Sequence, residues 1–226
     1  MKNIIVTGTS RGIGKELCLY FANLGHRVLA LSRTVNTELT AHSNVEQLAL
    51  DLGDASQLSL VTAYINTTFQ GKLDILVHNA GALINKPFEA LTSEDFEYVY
   101  RINVFAVAAL TQACLPFLVK GSHVLTVSSM GGIQGSMKFP GLAAYSSSKG
   151  AVITLSELLA EEYKPQGISF NVVALGAVQT EMLQEAFPGF EAPISALGMA
   201  EYLGDLALNG TKYFNGKVIQ VSSTTP

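Results

Sequence analysis

The sequence predicts an α/β fold, a three-layer αβα sandwich in which a doubly wound parallel sheet of about seven strands lies between helices. Two observations predict it. Short apolar runs alternate with segments of helical periodicity along all 226 residues, which is the pattern of successive βα units. Apolar residues make up 48% of the chain and charged residues 14%, as a sheet covered on both faces requires. The length suits a single domain over residues 1–226.

A glycine-rich loop follows the first predicted strand, residues 4–6. Residues 7–14 have the sequence T-G-T-S-R-G-I-G. A strand that enters a helix through glycines lets the backbone approach a phosphate closely, and the free amides of the helix start meet its negative charge. The loop therefore predicts a dinucleotide site, although a glycine-rich turn that binds nothing has the same pattern. The predicted contacts are Gly8, Ser10, Arg11, Gly12, Ile13 and Gly14.

The first helix and the second strand form the rest of this βαβ unit. Residues 13–24 carry apolar side chains at helical spacing and stop at Gly25, a residue typical of helix C-termini. The next apolar run, residues 27–31, predicts the second strand.

The residues just past the second strand distinguish between cofactors. An acidic residue there would bind the ribose hydroxyls of NAD. This chain instead has Arg33 and Thr34, with no carboxylate before Glu38. Together with Arg11 in the glycine loop, Arg33 gives two guanidinium groups that suit the 2′-phosphate of NADP. Two solvated surface arginines are the alternative.

The third strand, residues 45–50, ends in Asp51 and Leu52. Asp51 is placed to accept a hydrogen bond from the adenine amino group, and a turn residue would occupy the same position. Both residues are candidate cofactor contacts. Residues 54–57 resemble a capping box and predict a helix from there to about residue 69.

Small residues follow the fourth strand, residues 73–77. His78 comes first, and then Asn79, Ala80 and Gly81. Small side chains at the carboxyl end of a parallel strand leave room for a ligand, so these last three are predicted cofactor contacts. Because His78 has no acidic partner nearby in sequence, we expect it to be structural rather than catalytic.

A long helix is predicted over residues 93–118, opened by a cap at 92–95. Its centre, residues 104–110, is almost continuously apolar, so we expect it to be buried on all sides by the sheet and by another subunit. Asn103 is the polar exception. Its amide must pair with backbone or bind water, or else the helix is kinked there and presents a carbonyl to the site.

A serine at the end of the fifth strand precedes a tyrosine and a lysine on one helix face. The strand covers residues 122–127, and a glycine-containing segment, residues 130–141, separates Ser129 from Tyr145 and Lys149. Tyr145 and Lys149 are i and i+4 in the predicted helix. A lysine ammonium beside a phenol lowers the phenol pKa from ~10, so that the tyrosine can exchange a proton near neutral pH.

The sixth strand, residues 168–175, leads to three further candidate contacts. These are Gly176, Val178 and Thr180. Because they follow the carboxyl end of a central strand, they are predicted to border the nicotinamide. The Thr180 hydroxyl can bond the nicotinamide carboxamide.

A short substrate lid is predicted near residues 182–198. This stretch contains Pro188, Gly189 and Pro193 and the exposed-looking Phe187 and Phe190. A connecting loop with no such function is the alternative. A helix over 199–209 and a last strand over 217–221 close the chain.

Composition argues against several classes of partner. The net charge of −4 gives no basic footprint for nucleic acid or for an anionic membrane. Cys18 and Cys114 lie among apolar residues at helical spacing, which predicts buried free thiols rather than a disulfide or a metal site. The chain begins without a signal-peptide pattern, and no apolar run reaches the ~20 residues of a membrane span. We therefore expect a cytoplasmic protein.

Together, these residues resemble the short-chain dehydrogenase/reductase family over nearly the whole chain, from Thr7 to about Ser222. Two positions depart from the family pattern, because His78 stands where asparagine is usual and Leu175 where proline is common. The features that coincide in the family's order are T-G-x-x-x-G-x-G at 7–14, N-A-G at 79–81, Ser129, and Tyr145-x-x-x-Lys149.

The resemblance implies a Rossmann-type fold that binds NAD(P) across the strand ends and transfers hydride between nicotinamide and a carbonyl or alcohol. It implies that Tyr145 is the general acid and that Ser129, rather than Ser128, holds the substrate oxygen. Lys149 would bind the ribose hydroxyls and lower the pKa of Tyr145, and Asn103 would hold a water in a proton relay. It also implies a preference for NADP, from the basic residues at positions 11 and 33, and a homodimer or homotetramer.

The predicted function is NADPH-dependent reduction of a small-molecule carbonyl, a ketone, an aldehyde or a 3-oxoacyl group, to an alcohol. A carrier-protein substrate would need a basic patch at the entrance, and only Lys86 and Lys138 lie in suitable loops. The alternative is a non-catalytic NADP-binding regulator or scaffold. An intact Ser129, Tyr145 and Lys149 favours the enzyme, because a regulator has no chemical need for a low-pKa phenol.

Overall fold

Among residues 1–222, which the computed structural model describes, seven strands form one parallel sheet in the order β3-β2-β1-β4-β5-β6-β9. Strands β7 and β8 pair with each other outside it. The predicted doubly wound, Rossmann-type α/β fold is confirmed. The strands are β1 (Asn3–Thr7), β2 (Arg27–Ser32), β3 (Val45–Ala49), β4 (Leu73–His78), β5 (Leu118–Ser129), β6 (Ser169–Leu175), β7 (Val178–Gln179), β8 (Ile194–Ser195) and β9 (Val218–Val221).

Helices cover both faces of the sheet and enclose two apolar cores. Because successive strand residues point to opposite faces, Ile4 and Val6 of β1 lie in one core and Ile5 in the other. Cys18 and Cys114 are buried free thiols, one in each core, as predicted. The helices are α1 (Gly12–Asn23), α2 (Leu58–Thr67), α3 (Ser93–Tyr100), α4 (Ala106–Cys114), α5 (Ala143–Glu162), α6 (Glu181–Ala186) and α7 (Ala196–Asn209).

Local backbone chemistry fixes the helix ends. Gly25, just past α1, has a φ of 77°, the left-handed conformation expected at this C-terminus. A capping box begins α3, in which the Asp95 amide donates to Thr92 Oγ1 at 3.2 Å and the Thr92 amide donates to Asp95 Oδ2 at 3.1 Å. The helix predicted from residue 54 is shorter, because residues 55–57 form a 3₁₀ turn and α2 begins at Leu58.

A π-helical turn, Arg101–Phe105, joins α3 to α4 and contains the buried Asn103. A kink at this residue was one of the alternatives that the sequence left open, and a π turn is one form of such an irregularity. The prediction that the helix continues to residue 118 is wrong. Helix α4 ends at Cys114, and a 3₁₀ turn containing Pro116 follows it, because proline cannot continue an α-helical hydrogen-bond ladder.

This helical run has one buried side and one exposed side. Leu110 and Cys114 are fully buried, whereas Phe105 is 61% exposed and Tyr98 40%. Within the single chain the sheet therefore buries one side of the run, and burial of the other side by another subunit stays a prediction. By length and composition the run Ser93–Phe117 is apolar enough to cross a membrane, although it is not an uninterrupted apolar stretch. Its buried side packs on the sheet, as in a core helix.

Two buried histidines hold structural positions. His78 Nε2 lies 2.9 Å from Thr111 Oγ1, and the structural role expected for it agrees with this contact. His123 lies between the Ala207 carbonyl and Asn171 Nδ2, at 3.0 Å from each. Burial lowers the pKa of His78 to about 3 and that of His123 to about 4, so both rings are neutral near pH 7.

These histidines should make the protein less stable in acid. An unfolded histidine has a pKa of about 6.5, so below that pH the unfolded state binds protons that the folded state excludes. Stability is therefore lost as the pH falls from about 6.5 towards the folded pKa values, by up to about 1.4 kcal/mol per pH unit for each histidine. In the His78→Asn variant, the free energy of unfolding should fall less steeply with falling pH, because the contribution of His78 is removed. Urea unfolding at pH 7, 6 and 5 measures this slope.

His42→Asn is the matched control, because His42 lies outside both cores. Its pH slope should equal that of the unmodified protein. A His78→Asn protein with an unchanged slope would show that folding does not lower the pKa of His78.

Candidate active site

A cleft of about 670 Å³ opens at the carboxyl ends of β1, β4, β5 and β6. It lies where the strand order reverses, which is the usual ligand position in open parallel sheets. Most of the predicted site residues line it. These are Gly8, Ser10, Arg11, Gly12, Ile13, Arg33, Asp51, Leu52, Asn79, Ala80, Gly81, Ser129, Tyr145, Lys149, Gly176, Val178 and Thr180.

Three predicted residues, Gly14, Thr34 and Asn103, do not line the cleft. Gly14 has a packing role, because a Cβ at this position would lie 2.2 Å from the Gly8 carbonyl oxygen. Thr34 is exposed, and its carbonyl accepts a hydrogen bond from Ser32 Oγ at 2.7 Å. Arg33 lines the cleft, whereas the next residue, Thr34, does not.

The end of β1 is tied to the turn after β4. Thr7 Oγ1 accepts hydrogen bonds from the amides of Asn79, at 3.0 Å, and Ala80, at 2.9 Å. The Asn79 side chain donates to the carbonyls of Thr7, at 3.0 Å, and Gly8, at 3.2 Å. Asn79 therefore shapes the glycine loop in addition to lining the cleft.

The glycine loop leaves the start of α1 open to an anion. Helix α1 has no side-chain cap and no acidic residue in its first turn, whereas α3, α6 and α7 are each capped by a hydroxyl. Gly12 has a φ of 58°, and a Cβ at this position would lie 3.4 Å from Glu181 Oε2 across the cleft. Uncapped helix amides beside a glycine fit the pyrophosphate of a dinucleotide.

The two arginines proposed for the 2′-phosphate have different surroundings. Arg11 Nη2 donates to Glu185 Oε2 at 2.8 Å, and Nη1 donates to the other carboxylate oxygen at 2.5 Å. This pair joins the glycine loop to α6 across the cleft mouth. Arg33 is exposed, and within residues 1–222 its guanidinium forms no ion pair. Of the two, Arg33 is the one available to a phosphate without breaking a contact.

Asp51 has the turn contacts that the sequence left open. Its Oδ1 accepts from the Gly53 amide at 2.9 Å, and its own amide donates to Gln57 Oε1 at 2.9 Å. It also lines the cleft together with Leu52. One carboxylate oxygen therefore holds the turn while the residue borders the cleft.

The two serines at the end of β5 face different ways. Ser128 is buried and donates to the Lys149 carbonyl at 2.8 Å, whereas Ser129 is more accessible and its Oγ accepts from the Gly131 amide at 3.2 Å. Gly132 permits a close approach to α5, because a Cβ there would lie 2.6 Å from the carbonyl carbon of Lys149. The turn after β5 is thus packed directly on the helix that carries the tyrosine and lysine.

Tyr145 and Lys149 lie on one face of α5, with Lys149 Nζ 5.8 Å from the centroid of the Tyr145 ring. Lys149 is buried and donates to the Val127 carbonyl at 2.9 Å, and burial lowers its pKa to about 8. Burial raises the pKa of Tyr145, and a hydrogen bond with Ser129 partly offsets this. The pKa of Tyr145 is thus shifted in the direction opposite to the one expected from Lys149, because desolvation of the phenolate dominates.

Ser129, Tyr145 and Lys149 form one wall of the cleft, called here the catalytic wall. Asn103 does not line the cleft, and its side chain holds together two segments that support this wall. Its Oδ1 accepts from the Ala82 amide at 2.7 Å, and its Nδ2 donates to the Ala82 carbonyl and to Ser148 Oγ, both at 2.9 Å. Ser148 Oγ in turn donates to the Tyr145 carbonyl at 2.6 Å. The Asn103 side chain thereby connects the turn after β4 to α5 and is fully paired.

The predicted lid segment contains a helix and a strand, α6 and β8. Thr180 Oγ1 accepts from the Leu183 amide at 3.3 Å and caps α6. Asn85 Nδ2 donates to the Ala186 carbonyl at 3.0 Å, so the chain after β4 holds the end of α6. Met182, Leu183, Phe187 and Phe190 of this segment line the cleft.

Most of the apolar residues that line the cleft have no signal in the sequence that marks them as site residues. An apolar side chain on a cleft wall has the same pattern as one in a core, so only Phe187 and Phe190 carried a signal, as aromatics in a proline-containing segment. The missed residues are Leu50, Ala82, Leu83, Ile102, Val127, Met130, Met137, Phe139, Leu142 and Leu175, and with them Ser32, Tyr98, Ser128, Gly131, Ala177, Glu181 and Ser222.

The buried ammonium of Lys149 should destabilise the cofactor-free protein at neutral pH. Its folded pKa of about 8 lies below the ordinary 10.5, so burial of the charged form costs stability below pH 8. This cost disappears as the pH rises to about 10.5. Lys149→Met should raise the free energy of unfolding at pH 7, by on the order of 1–3 kcal/mol, and by less at pH 9.5. Chemical denaturation at the two pH values measures both effects.

Lys120→Met is the control, since Lys120 is exposed, and it should change stability little at either pH. If Lys149→Met destabilises the protein at pH 7, the hydrogen bond to Val127 outweighs the cost of burying the charge.

Comparisons with known proteins agree with this architecture. A family model described as short chain dehydrogenase matches residues 2–189. Two relatives from Escherichia coli (strain K12) are 3-oxoacyl-[acyl-carrier-protein] reductase FabG, 28% identical over 235 residues that cover 98% of this chain and 96% of the relative, and 7alpha-hydroxysteroid dehydrogenase, 30% identical over 243 residues that cover 98% and 92%.

A solved structure gives the same result. The NADP active-site complex of RhlG from Pseudomonas aeruginosa superposes with a TM-score of 0.87 at 26% identity, covering 99% of this chain and 96% of that one. The family match and the seven-stranded fold identify the same class of protein. This chain therefore belongs to the short-chain dehydrogenase/reductase family of oxidoreductases, which bind a nicotinamide cofactor.

Proposed function

We propose that this oxidoreductase uses NADPH to reduce the carbonyl group of a small molecule to an alcohol. The observation that carries the proposal is the convergence of Ser129, at the end of β5, with Tyr145 and Lys149 of α5 on one wall of the cleft. A hydroxyl, a phenol and an ammonium group together supply a ligand for the substrate oxygen, a proton donor and a positive charge.

Ser129, Tyr145 and Lys149 have different proposed roles at the substrate oxygen. Ser129 Oγ donates a hydrogen bond to it, and Tyr145 Oη donates the proton. Burial raises the pKa of Tyr145, so the phenol is protonated before reaction, as a general acid must be. Lys149, whose pKa is about 8, is mostly charged at pH 7 and stabilises the phenolate that remains. When bound, the nicotinamide supplies the hydride.

The proposed cofactor position follows the chemistry of the cleft walls. The uncapped amides of α1 hold the pyrophosphate, Arg33 meets the 2′-phosphate, and Lys149 binds ribose hydroxyls. The carboxylate of Asp51 and the side chain of Leu52 border the adenine. The remaining contacts are Gly8, Ser10, Gly12 and Ile13 with the phosphates, Asn79, Ala80 and Gly81 with the riboses, and Gly176, Val178 and Thr180 with the nicotinamide.

We propose that Asn103 serves the proton relay through its main chain. Its side-chain amide is already paired with Ala82 and Ser148, so a relay water would have to bind the carbonyl of the π turn. Irregular turns of this kind place backbone carbonyls where a regular helix does not.

We also propose a homodimer or homotetramer that buries the exposed side of the α3–α4 run. Phe105 is 61% exposed there, and Leu158 on the adjacent helix α5 is 63% exposed. Large apolar side chains grouped on neighbouring helices favour a subunit interface.

Removal of the Tyr145 hydroxyl tests catalysis. Tyr145→Phe should lower kcat for NADPH oxidation with a ketone by about 10²-fold or more, because the general acid is lost. Its affinity for NADPH, measured by fluorescence titration, should change no more than a few-fold. Tyr213→Phe, on an exposed tyrosine outside the cleft, should match the unmodified protein. An NADP-binding regulator would instead keep its biological activity in Tyr145→Phe.

Cofactor preference tests the assignment of Arg33. Arg33→Ser should weaken NADPH binding by roughly 10-fold or more and leave NADH nearly unchanged, because a charge-assisted bond to the 2′-phosphate is lost. Glu185→Gln should act in the opposite direction, because it releases Arg11 for the same phosphate. Both effects are measured as dissociation constants for NADPH and NADH.

Arg27→Ser is the control for this pair, since Arg27 lies at the opposite end of β2 and donates to the Thr68 carbonyl. Equal losses for NADPH and NADH in Arg33→Ser would contradict the proposed contact with the 2′-phosphate.

A further inference from the structure

The part of the cleft around Tyr145 and Ser129 is walled by apolar side chains. Two segments supply them, the one between β5 and α5 and the one that includes α6. None of these side chains carries a charge or a hydrogen-bonding group stronger than a thioether. They are Met130, Met137, Phe139 and Leu142 from the first segment, and Met182, Leu183, Phe187 and Phe190 from the second.

The charged residues of the cleft lie at its cofactor end or are already paired. Arg33 and Asp51 follow β2 and β3, and Arg11 is bound by Glu185. Lys149 is buried against the Val127 carbonyl. A carboxylate of the substrate placed among the methionines and phenylalanines would therefore lose its hydration without gaining a cation, which is costly.

The lysines beside the mouth of the cleft are held by other groups. Lys86, whose amide donates to the Gly141 carbonyl at 3.0 Å, places its Nζ 2.8 Å from Asp95 Oδ2. Lys138 Nζ donates within its own loop, to the Ile133 carbonyl at 2.6 Å and to Ser136 Oγ at 2.7 Å. Asp95 offsets the charge of Lys86, and the Nζ donors of Lys138 are directed into its own loop although its charge remains, so the entrance offers an acidic carrier no cluster of free cations.

Carboxylates at the mouth strengthen this effect. Glu181 lines the cleft, Glu185 lies on the same helix, and Glu191 is exposed in the segment that follows. Arg11 pairs with Glu185 and also attracts Glu181, whose Oε2 lies beside Gly12, so within residues 1–222 Glu191 is the one of the three left to repel anions. An anionic substrate would thus meet like charge before it reached the catalytic wall.

From these contacts we infer that the substrate is an uncharged, apolar ketone that enters free in solution, and not an acyl group carried on an acidic protein or on a phosphorylated coenzyme. The inference rests on the proposed carbonyl reduction and names its substrate class. An aliphatic or alicyclic chain attached to the ketone fills the methionine and phenylalanine walls while its carbonyl oxygen reaches Ser129 and Tyr145.

Substrates that share a reacting group but differ in charge test the inference. We would measure kcat/KM with NADPH for one 3-oxoacyl group presented as its neutral N-acetylcysteamine thioester and as its coenzyme A thioester. A second pair is a methyl ketone and the keto acid with the same carbon chain. We expect the neutral member of each pair to be favoured at least about 10-fold, which corresponds to roughly 1.4 kcal/mol. Equal or faster turnover of the charged members would overturn the inference.

A binding measurement separates this inference from the proposed function. Calorimetric titration of the Tyr145→Phe protein, loaded with NADPH, compares the methyl ketone with the keto acid without any turnover. Tighter binding of the ketone supports the inference about the substrate class. If the unmodified protein reduces no carbonyl, that result contradicts the proposed reaction but leaves this binding preference standing. Tighter binding of the keto acid overturns the inference even if ketones are reduced.

Release of an entrance lysine provides a second test. Asp95→Asn keeps an oxygen for the capping box but removes the charge that holds Lys86, so turnover of the coenzyme A thioester should rise several-fold relative to the neutral thioester. Asp205→Asn is matched in charge and lies on α7, where it accepts from Asn209, outside the cleft lining. It should leave this ratio unchanged. An equal rise in both variants would overturn the role given to the Lys86–Asp95 pair.

Discussion

The hydrogen bonds between the ends of β1 and β4 are the contact on which the ligand-binding edge depends. The Thr7 hydroxyl accepts from two amides of the turn after β4, and Asn79 returns two bonds to the carbonyls of Thr7 and Gly8. Because β1 and β4 flank the point where the strand order reverses, these bonds fix the glycine loop and the small-residue turn relative to each other. The open start of α1 then faces the cleft and not a neighbouring side chain.

The catalytic wall depends on a second close contact, between the turn after β5 and helix α5. Gly132 lets two backbones meet where a Cβ would lie 2.6 Å from Lys149, and Ser128 donates to the Lys149 carbonyl. Asn103 holds the same helix from the other side through Ser148. The cost of this arrangement is a buried ammonium, with a pKa lowered to about 8. Such a cost is accepted at functional sites, where a group is positioned for reaction instead of for stability.

Charge is distributed unevenly along the cleft. The glycine loop and the end of β2 carry arginines, whereas the region around Tyr145 is apolar and the mouth carries carboxylates. The ion pair between Arg11 and Glu185 connects these regions, because it joins the glycine loop to helix α6. If the cofactor binds as proposed, a phosphate that competes for Arg11 would weaken that connection.

The sequence by itself determined the seven strands, their parallel order and the residues with a chemical signature, from the glycine loop to Ser129, Tyr145 and Lys149. Strand and helix periods are local, and so is the spacing of Tyr145 and Lys149 on one helix face. Only the tertiary structure decided that Thr34 lies away from the cleft, that Glu185 holds Arg11, and that burial raises the pKa of Tyr145. Each of these depends on groups distant in sequence or on solvent exclusion. The apolar lining of the cleft near Tyr145 depends on both, because the residues that pack against a methionine decide whether it lines a cleft or a core.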